Sequence, residues 1–268
     1  MKGALRLLGG LAAGWLAVCM HMFVTQRSMQ YRPDGSAMDP ARAGLPQASQ
    51  FVVDAADGER IVLWWIPPLD ASAPVFLYLH GNGANLEARA QRFAHLTRSG
   101  RGLLAVSWRG YGGSTGSPTE TGLRTDARAG YDWLSARVDP SRIIVFGESL
   151  GTTVSVLLAA EVPVRALVLD SSFSSALDVA RGAYPWLPVS LLMLDRYLAV
   201  DAAPRVRVPV QQFHCDDDPV TPAALAERLN AALPAARPVS RVSGRCHVPP
   251  VTRFEPALEG FLAELIRF

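Results

Sequence analysis

Two stretches of this chain place a serine between glycines at the same spacing: "GGSTG" at Gly112–Gly116 and "GESLG" at Gly147–Gly151. Both fit G-x-S-x-G, the pattern of a sharp strand-to-helix turn that holds out a serine hydroxyl as a nucleophile. One site of covalent catalysis uses one serine, so the flanking elements must choose. Such a turn needs a strand running straight in and a helix leaving straight out. "RIIVF-GESLG-TTVSVLLAAE" has that order without a gap. It predicts a strained Ser149 near the positive end of a helix, with the backbone N–H of Leu150 free for an oxyanion. In "WRGY-GGSTG-SPTE" the strand ends well before Ser114, and Gly116 and Pro118 break any helix. Pro118 pushes Ser117 out of the α region. That match reads as a glycine-rich loop, with the next helix capped by Ser117 or Thr119.

A serine is a weak nucleophile without a histidine base and an acid that orients it. The chain has five histidines. His21 lies in an apolar run, His95 in a helix, His80 at a strand end and His214 before an acidic cluster. His247, in "SGRCHVPP", sits in a loop between the last strand and the last helix, where the chain order nucleophile, acid, histidine places the base. The acid must lie on a loop between Ser149 and His247. "HCDDDPVTP" supplies Asp216, Asp217 and Asp218, and Asp170 after "RALVL" competes with them.

These residues need a scaffold. The chain has 268 residues, 49% of them hydrophobic, enough for one large core. Its net charge is +2 and its arginines are scattered, which excludes a nucleic-acid footprint. Its three cysteines show no metal-ligand spacing. "FVVDAADGERIVLWWIPP" reads as a hairpin around Asp57-Gly58. Beyond it, short apolar runs alternate with helical patterns. "LRTDARAGYDWLSARV" is one such helix, with Ala129, Trp133 and Val138 as inward candidates. "PAALAERLNAAL" is another, with Thr221 as cap and Pro222 in its first turn, and "FEPALEGFLAELIRF" closes the chain. This alternation predicts an α/β fold, a mostly parallel sheet covered on both faces, with its site at the carboxyl ends of the strands.

The amino terminus differs in kind. Lys2 and Arg6 precede an apolar run from Leu7 to Val24. Residues 1–25 read as a membrane anchor or signal-like segment, and an uncleaved anchor is favoured over cleavage or lipidation at "LAVC". Arg27 and Arg32 follow the run, so charge bias leaves the orientation open. Residues 26–50 read as a polar linker, and residues 51–268 as the catalytic domain.

In this order the motifs resemble the α/β-hydrolase superfamily over residues 50–268. "HGNG" at His80–Gly83 looks like its oxyanion turn, "WRGYGGSTG" like its R-G-x-G-x-S loop, "GESLGT" like its nucleophile elbow, and "FHCDDDPVTP" like its acid segment. The outline is most similar to small membrane-tethered esterases and depalmitoylase-like hydrolases. The resemblance implies a sheet of about eight strands and a triad of Ser149, Asp218 and His247. It implies an oxyanion hole from the backbone of Leu150 and Asn82, and neither metal nor organic cofactor. It implies cleavage of carboxylic esters, with fatty acyl esters or thioesters as candidates and a small-molecule or lipid-like acyl substrate. A serine peptidase or acyltransferase would use the same triad, and a non-catalytic binding protein could keep the scaffold. Ser149 excludes the related enzymes that need a carboxylate at the elbow.

Between "VRALVLD" and "VPVQQF" lies an apolar excursion with Tyr184, Trp186, Leu187, Leu191, Leu192, Met193 and Leu194. It is either an acyl-binding wall or ordinary helix packing, and helical apolar spacing favours packing. Cys215 stands where the family has glycine, and Cys246 directly precedes His247. Both leave neighbouring strand ends, so a disulfide between them is possible, as are two free thiols. A disulfide would imply an oxidising compartment. The favoured location is a bacterial cell membrane with the catalytic domain outside the cytoplasm.

Overall fold

A computed structural model describes residues 2–266. The last two residues of the expected closing helix, Arg267 and Phe268, lie outside them. Eight strands form one sheet in the order β1-β2-β4-β3-β5-β6-β7-β8. They are β1 (Ser49–Asp54), β2 (Arg60–Ile66), β3 (Val75–Leu79), β4 (Gly102–Val106), β5 (Ile143–Glu148), β6 (Ala166–Asp170), β7 (Val210–Cys215) and β8 (Ser240–Val242). β1 and β2 form the antiparallel hairpin expected around Asp57-Gly58, β2 runs antiparallel to β4, and every other pairing is parallel. β3 to β7 are buried throughout. That is the burial expected of apolar strands covered on both faces.

The helices are α1 (Lys2–Gln30), α2 (Ala90–Thr97), α3 (Glu120–Ser135), α4 (Leu150–Ala159), α5 (Ala176–Ala183), α6 (Val189–Leu192), α7 (Ala199–Ala202), α8 (Ala223–Ala232) and α9 (Glu255–Ile266). One core layer packs α3 and α4 on the sheet through Leu123, Leu134, Val154 and Leu158. The opposite layer packs α2 and α9 through Phe93, Leu258 and Phe261.

Local details decide between the sequence alternatives and correct two of the expectations. Thr119 caps α3, its hydroxyl accepting from Gly122 N at 2.9 Å. The buried stripe of α3 is Leu123, Ala127, Tyr131 and Leu134; Ala129 and Trp133 are only half-buried, while Val138, just past the end of the helix, is buried as expected. The helix is thus rotated by about one position from the expected face. Thr221 does not cap α8. Pro222 is its extended N-cap, and the Thr221 hydroxyl instead donates to Asp218 Oδ2 at 3.1 Å.

The largest departure is at the amino terminus. α1 continues to Gln30, and residues 31–50 pack on the domain instead of tethering it. Tyr31, Met38 and Leu45 are buried, and the Tyr31 and Tyr197 hydroxyls lie 2.8 Å apart. The last turns of α1 are bonded to the excursion. Gln26 spans the Leu192 carbonyl (3.1 Å) and the Leu194 amide (2.8 Å), and Arg27 pairs with Asp195 at 2.9 Å. α1 is long and apolar enough to cross a membrane.

Candidate active site

Ser149 joins β5 to α4 with φ +49° and ψ −117°. A side-chain-bearing residue rarely adopts such angles, and the strain costs about 1–3 kcal/mol. Its surroundings enforce them. The Ser149 amide donates to the Asp170 carbonyl at 2.9 Å, and its own carbonyl accepts from Thr152 N (2.9 Å) and Thr152 Oγ1 (2.6 Å). Strand and helix meet closely enough that a Cβ on Gly151 would lie 2.0 Å from the Leu79 carbonyl oxygen. One on Gly147 would lie 2.6 Å from Thr152 Cα. The two glycines of the motif are therefore steric requirements.

Ser149 Oγ lies 2.9 Å from His247 Nε2, and His247 Nδ1 lies 2.7 Å from Asp218 Oδ2. Asp218 Oδ1 accepts from the Val220 amide (2.8 Å) and the Thr221 amide (2.9 Å). Burial pushes the Asp218 carboxyl up, but the bonds from His247 and from these amides outweigh it and hold it below its ordinary value. An ionised Asp218 accepts the Nδ1 proton, which leaves Nε2 as the acceptor facing Ser149. Asp216 and Asp217 are exposed. Asp170 is buried against Arg92 at 2.5 Å and does not reach His247.

The loop carrying His247 is fixed on three sides. Cys246 forms a disulfide with Cys215 at the end of β7, with Cα atoms 5.6 Å apart. Val248, at φ +53°, donates its amide to Ser171 Oγ at 2.8 Å. Arg92 donates to the Pro249 carbonyl at 2.5 Å while holding Asp170.

The other histidines with a possible role are structural. Burial, with the Arg89 charge adding to it, lowers His80 to about 3, so its ring is neutral. His80 Nδ1 donates to the Gly81 carbonyl (2.7 Å), and its Nε2 accepts from Trp108 N (3.2 Å). This shapes the "HGNG" turn. His214, buried under the acid loop, holds the Thr221 carbonyl at 2.9 Å. Asn82 has its carbonyl taken by Tyr111 Oη (2.7 Å) and Arg32 N (3.1 Å), and its side chain donates to the Gln30 carbonyl at 2.9 Å. Among the described residues, the amides of Asn82 and Leu150 donate to no protein acceptor. Both residues line one cavity with Ser149.

Sequence reasoning missed the buried Glu148 inside the motif. It accepts from Tyr78 Oη, from Arg89 Nη2 at 2.6 Å and from the Gly81 amide at 3.3 Å. Burial pushes its carboxyl up, but Arg89 and Arg92 together override that and hold it well below the usual range. Glu148 thus ties the "HGNG" turn to the elbow. A carboxylate ending an apolar strand was the signal that it needed a buried cation. The cavity, of about 270 Å³, is lined by Phe173, Tyr184, Leu187, Leu192 and Met193, and no charged side chain is among its lining residues. Half of the excursion thus forms a wall beside Ser149, while Trp186, Leu191 and Leu194 are exposed.

Residues 74–214 match the family model of the α/β hydrolase fold. An uncharacterised protein of Mycobacterium tuberculosis, Rv2307c, is 41% identical over 224 residues, 82% of this chain and 79% of that protein. Lysophosphatidylserine lipase ABHD12 of Xenopus tropicalis is 32% identical over 193 residues, 64% of this chain and 50% of that protein. The structure of the Pyrococcus furiosus esterase Pf2001 superposes with a TM-score of 0.66 at 20% identity, covering 88% of this chain and 98% of that one. Sheet order, sequence match and structural likeness agree, and the chain belongs to the α/β-hydrolase family.

Proposed function

We propose that the protein hydrolyses carboxylic esters with an apolar acyl group through an acyl-enzyme on Ser149. The observation that carries this is the Ser149–His247–Asp218 hydrogen-bonded chain opening on an uncharged, apolar cavity. Ser149 Oγ attacks the ester carbonyl carbon as His247 Nε2 takes its proton. The amides of Leu150 and Asn82 receive the oxyanion. As the tetrahedral adduct collapses, the proton passes from His247 to the departing alkoxide. Water then attacks the acyl-enzyme as His247 takes one of its protons, and when the second adduct collapses His247 returns that proton to Ser149 Oγ, releasing the acid and free Ser149. Asp218 fixes the imidazole tautomer throughout.

The strain at Ser149 argues against a non-catalytic scaffold, because nothing in the packing needs a serine at those angles. A peptidase would meet a cavity without charged or backbone-rich recognition groups, so ester or thioester cleavage fits better. The Cys215–Cys246 disulfide supports a catalytic domain on the oxidising side of the membrane that holds α1. The test is labelling by a fluorophosphonate of the wild type, Ser149→Ala and Ser114→Ala. Label lost only in Ser149→Ala is expected. Label that survives Ser149→Ala and vanishes with Ser114→Ala would overturn the assignment.

A further inference from the structure

α1 has two parts with different surroundings. From Lys2 to Val18 every described side chain is exposed, including Leu5, Leu7, Leu8, Leu11 and Leu16. That stretch is ~25 Å long, close to the thickness of a bilayer's hydrocarbon core. Among the described residues Cys19 is the first that is buried, packed against Leu177, Leu187 and Val189. From there Cys19, Met22, Gln26 and Met29 follow at helical spacing along the face nearest the catalytic domain, with Cys19 buried, Met22 and Gln26 half-buried and Met29 still 39% exposed.

The cavity that contains Ser149 is lined by four residues of this helix, Met22, Gln26, Met29 and Gln30. The helix is not loosely leaning there. Gln26 bonds the Leu192 carbonyl and the Leu194 amide, Gln30 donates to the Asp195 carbonyl at 3.1 Å, and the Gln30 carbonyl accepts from Asn82. These bonds use both polar atoms of the Gln26 side-chain amide and the Nε2 of Gln30, which spends most of the polarity the two side chains bring to the cavity wall. Met22, Met29 and Met193 add thioethers, which adapt to chains of different shape. Trp186, Leu191 and Leu194 are exposed in the same excursion that holds α1. An apolar rim and an apolar anchor thus share one side of the molecule.

We propose that the face of α1 bearing Met22, Gln26, Met29 and Gln30 is a wall of the acyl-binding site. The substrate is then an ester whose acyl chain reaches Ser149 directly from the bilayer that holds the helix. This deepens the hydrolase reading and rests on it. The anchor is a specificity element as well as an attachment. An unrelated membrane helix joined before Tyr31 would keep the protein at the membrane but would not rebuild the site.

The full-length protein, reconstituted in phosphatidylcholine vesicles, is treated with an alkyl fluorophosphonate carrying a diazirine at the chain end. It is then irradiated and mapped by peptide mass spectrometry. The expected result is phosphonylation of Ser149 with crosslinks to the peptide containing Met22–Met29. Phosphonylated Ser149 with no crosslink in residues 19–30 overturns the inference and leaves the hydrolase reading standing. An unlabelled Ser149 overturns both. In parallel, Met22→Trp and Met29→Trp are expected to lower the ratio of nitrophenyl decanoate to acetate turnover about tenfold. Val24→Trp, on the exposed face, leaves the ratio unchanged. Equal ratios in all three variants would also overturn it.

Discussion

Ser114 and Ser149 have the same glycine neighbours and are almost equally buried, at 7% and 8% exposure. Their hydroxyls differ in what they touch. Ser114 Oγ donates to the Ser107 carbonyl at 2.8 Å and accepts from the Val62 amide at 2.9 Å. It is spent on backbone, closing the loop onto β2. Ser149 Oγ faces an imidazole and an open cavity. The five-letter motif specifies neither outcome. An elbow forms where a buried strand and a helix both abut the turn, and the same letters in a loop make a staple.

Predictions follow from pressing on that difference. Ser149→Gly is expected to lower ester turnover by about 10⁴-fold or more while raising thermal stability, because glycine relieves the φ +49° strain. Turnover and melting temperature check both halves, and a destabilised variant would remove the argument from strain. Asp218→Asn leaves the geometry in place but presents the wrong tautomer, and kcat is expected to fall by about 10³–10⁴. Cys246→Ser removes one of the three restraints on the histidine loop that set Ser149 apart from Ser114. It is expected to cost about 2–4 kcal/mol of stability by chemical denaturation, with a matching loss after reduction of the wild type. Ser114→Ala strands the Val62 amide and is expected to cost about 1–3 kcal/mol with turnover per folded molecule unchanged.

The smallest effect is a pH dependence. Glu148 has a folded pKa held below its unfolded value, so its contribution to stability is complete above that value, about 4.3. The contribution is lost as pH falls toward the folded pKa. The stability gap between wild type and Glu148→Gln is therefore expected to be full at pH 7 and to narrow below about pH 4. A gap independent of pH would mean that Glu148 acts by shape alone.

Much of the fold was legible because it rests on local pattern. Five buried strands announced themselves as apolar runs, and Ser149 was separable from Ser114 by its immediate neighbours. What escaped depended on distant partners. Tyr31, Met38 and Leu45 are isolated in a polar, proline-rich segment, and only the folded domain supplies what they pack against. Glu148 needed Arg89, Arg92 and Tyr78, none of them adjacent in sequence. The α1 wall was hidden because membrane-type composition masks the finer face of Met22, Gln26 and Met29. The α3 error was of another kind. Its buried face includes Gly122, Asp126 and Gly130, which carry no apolar signal.

The Arg27–Asp195 pair, with the neighbouring Gln26 bonds, has a consequence for how the enzyme meets its substrate. A flexible tether would let the domain tumble above the surface and sample the bulk solution. With α1 held in a bilayer as proposed, a stiff joint would remove that rotation and keep one mouth facing one patch of lipid. Encounter would then become a search by lateral diffusion in two dimensions. Its rate would be set by how much substrate the surface holds, and barely by how much the water does.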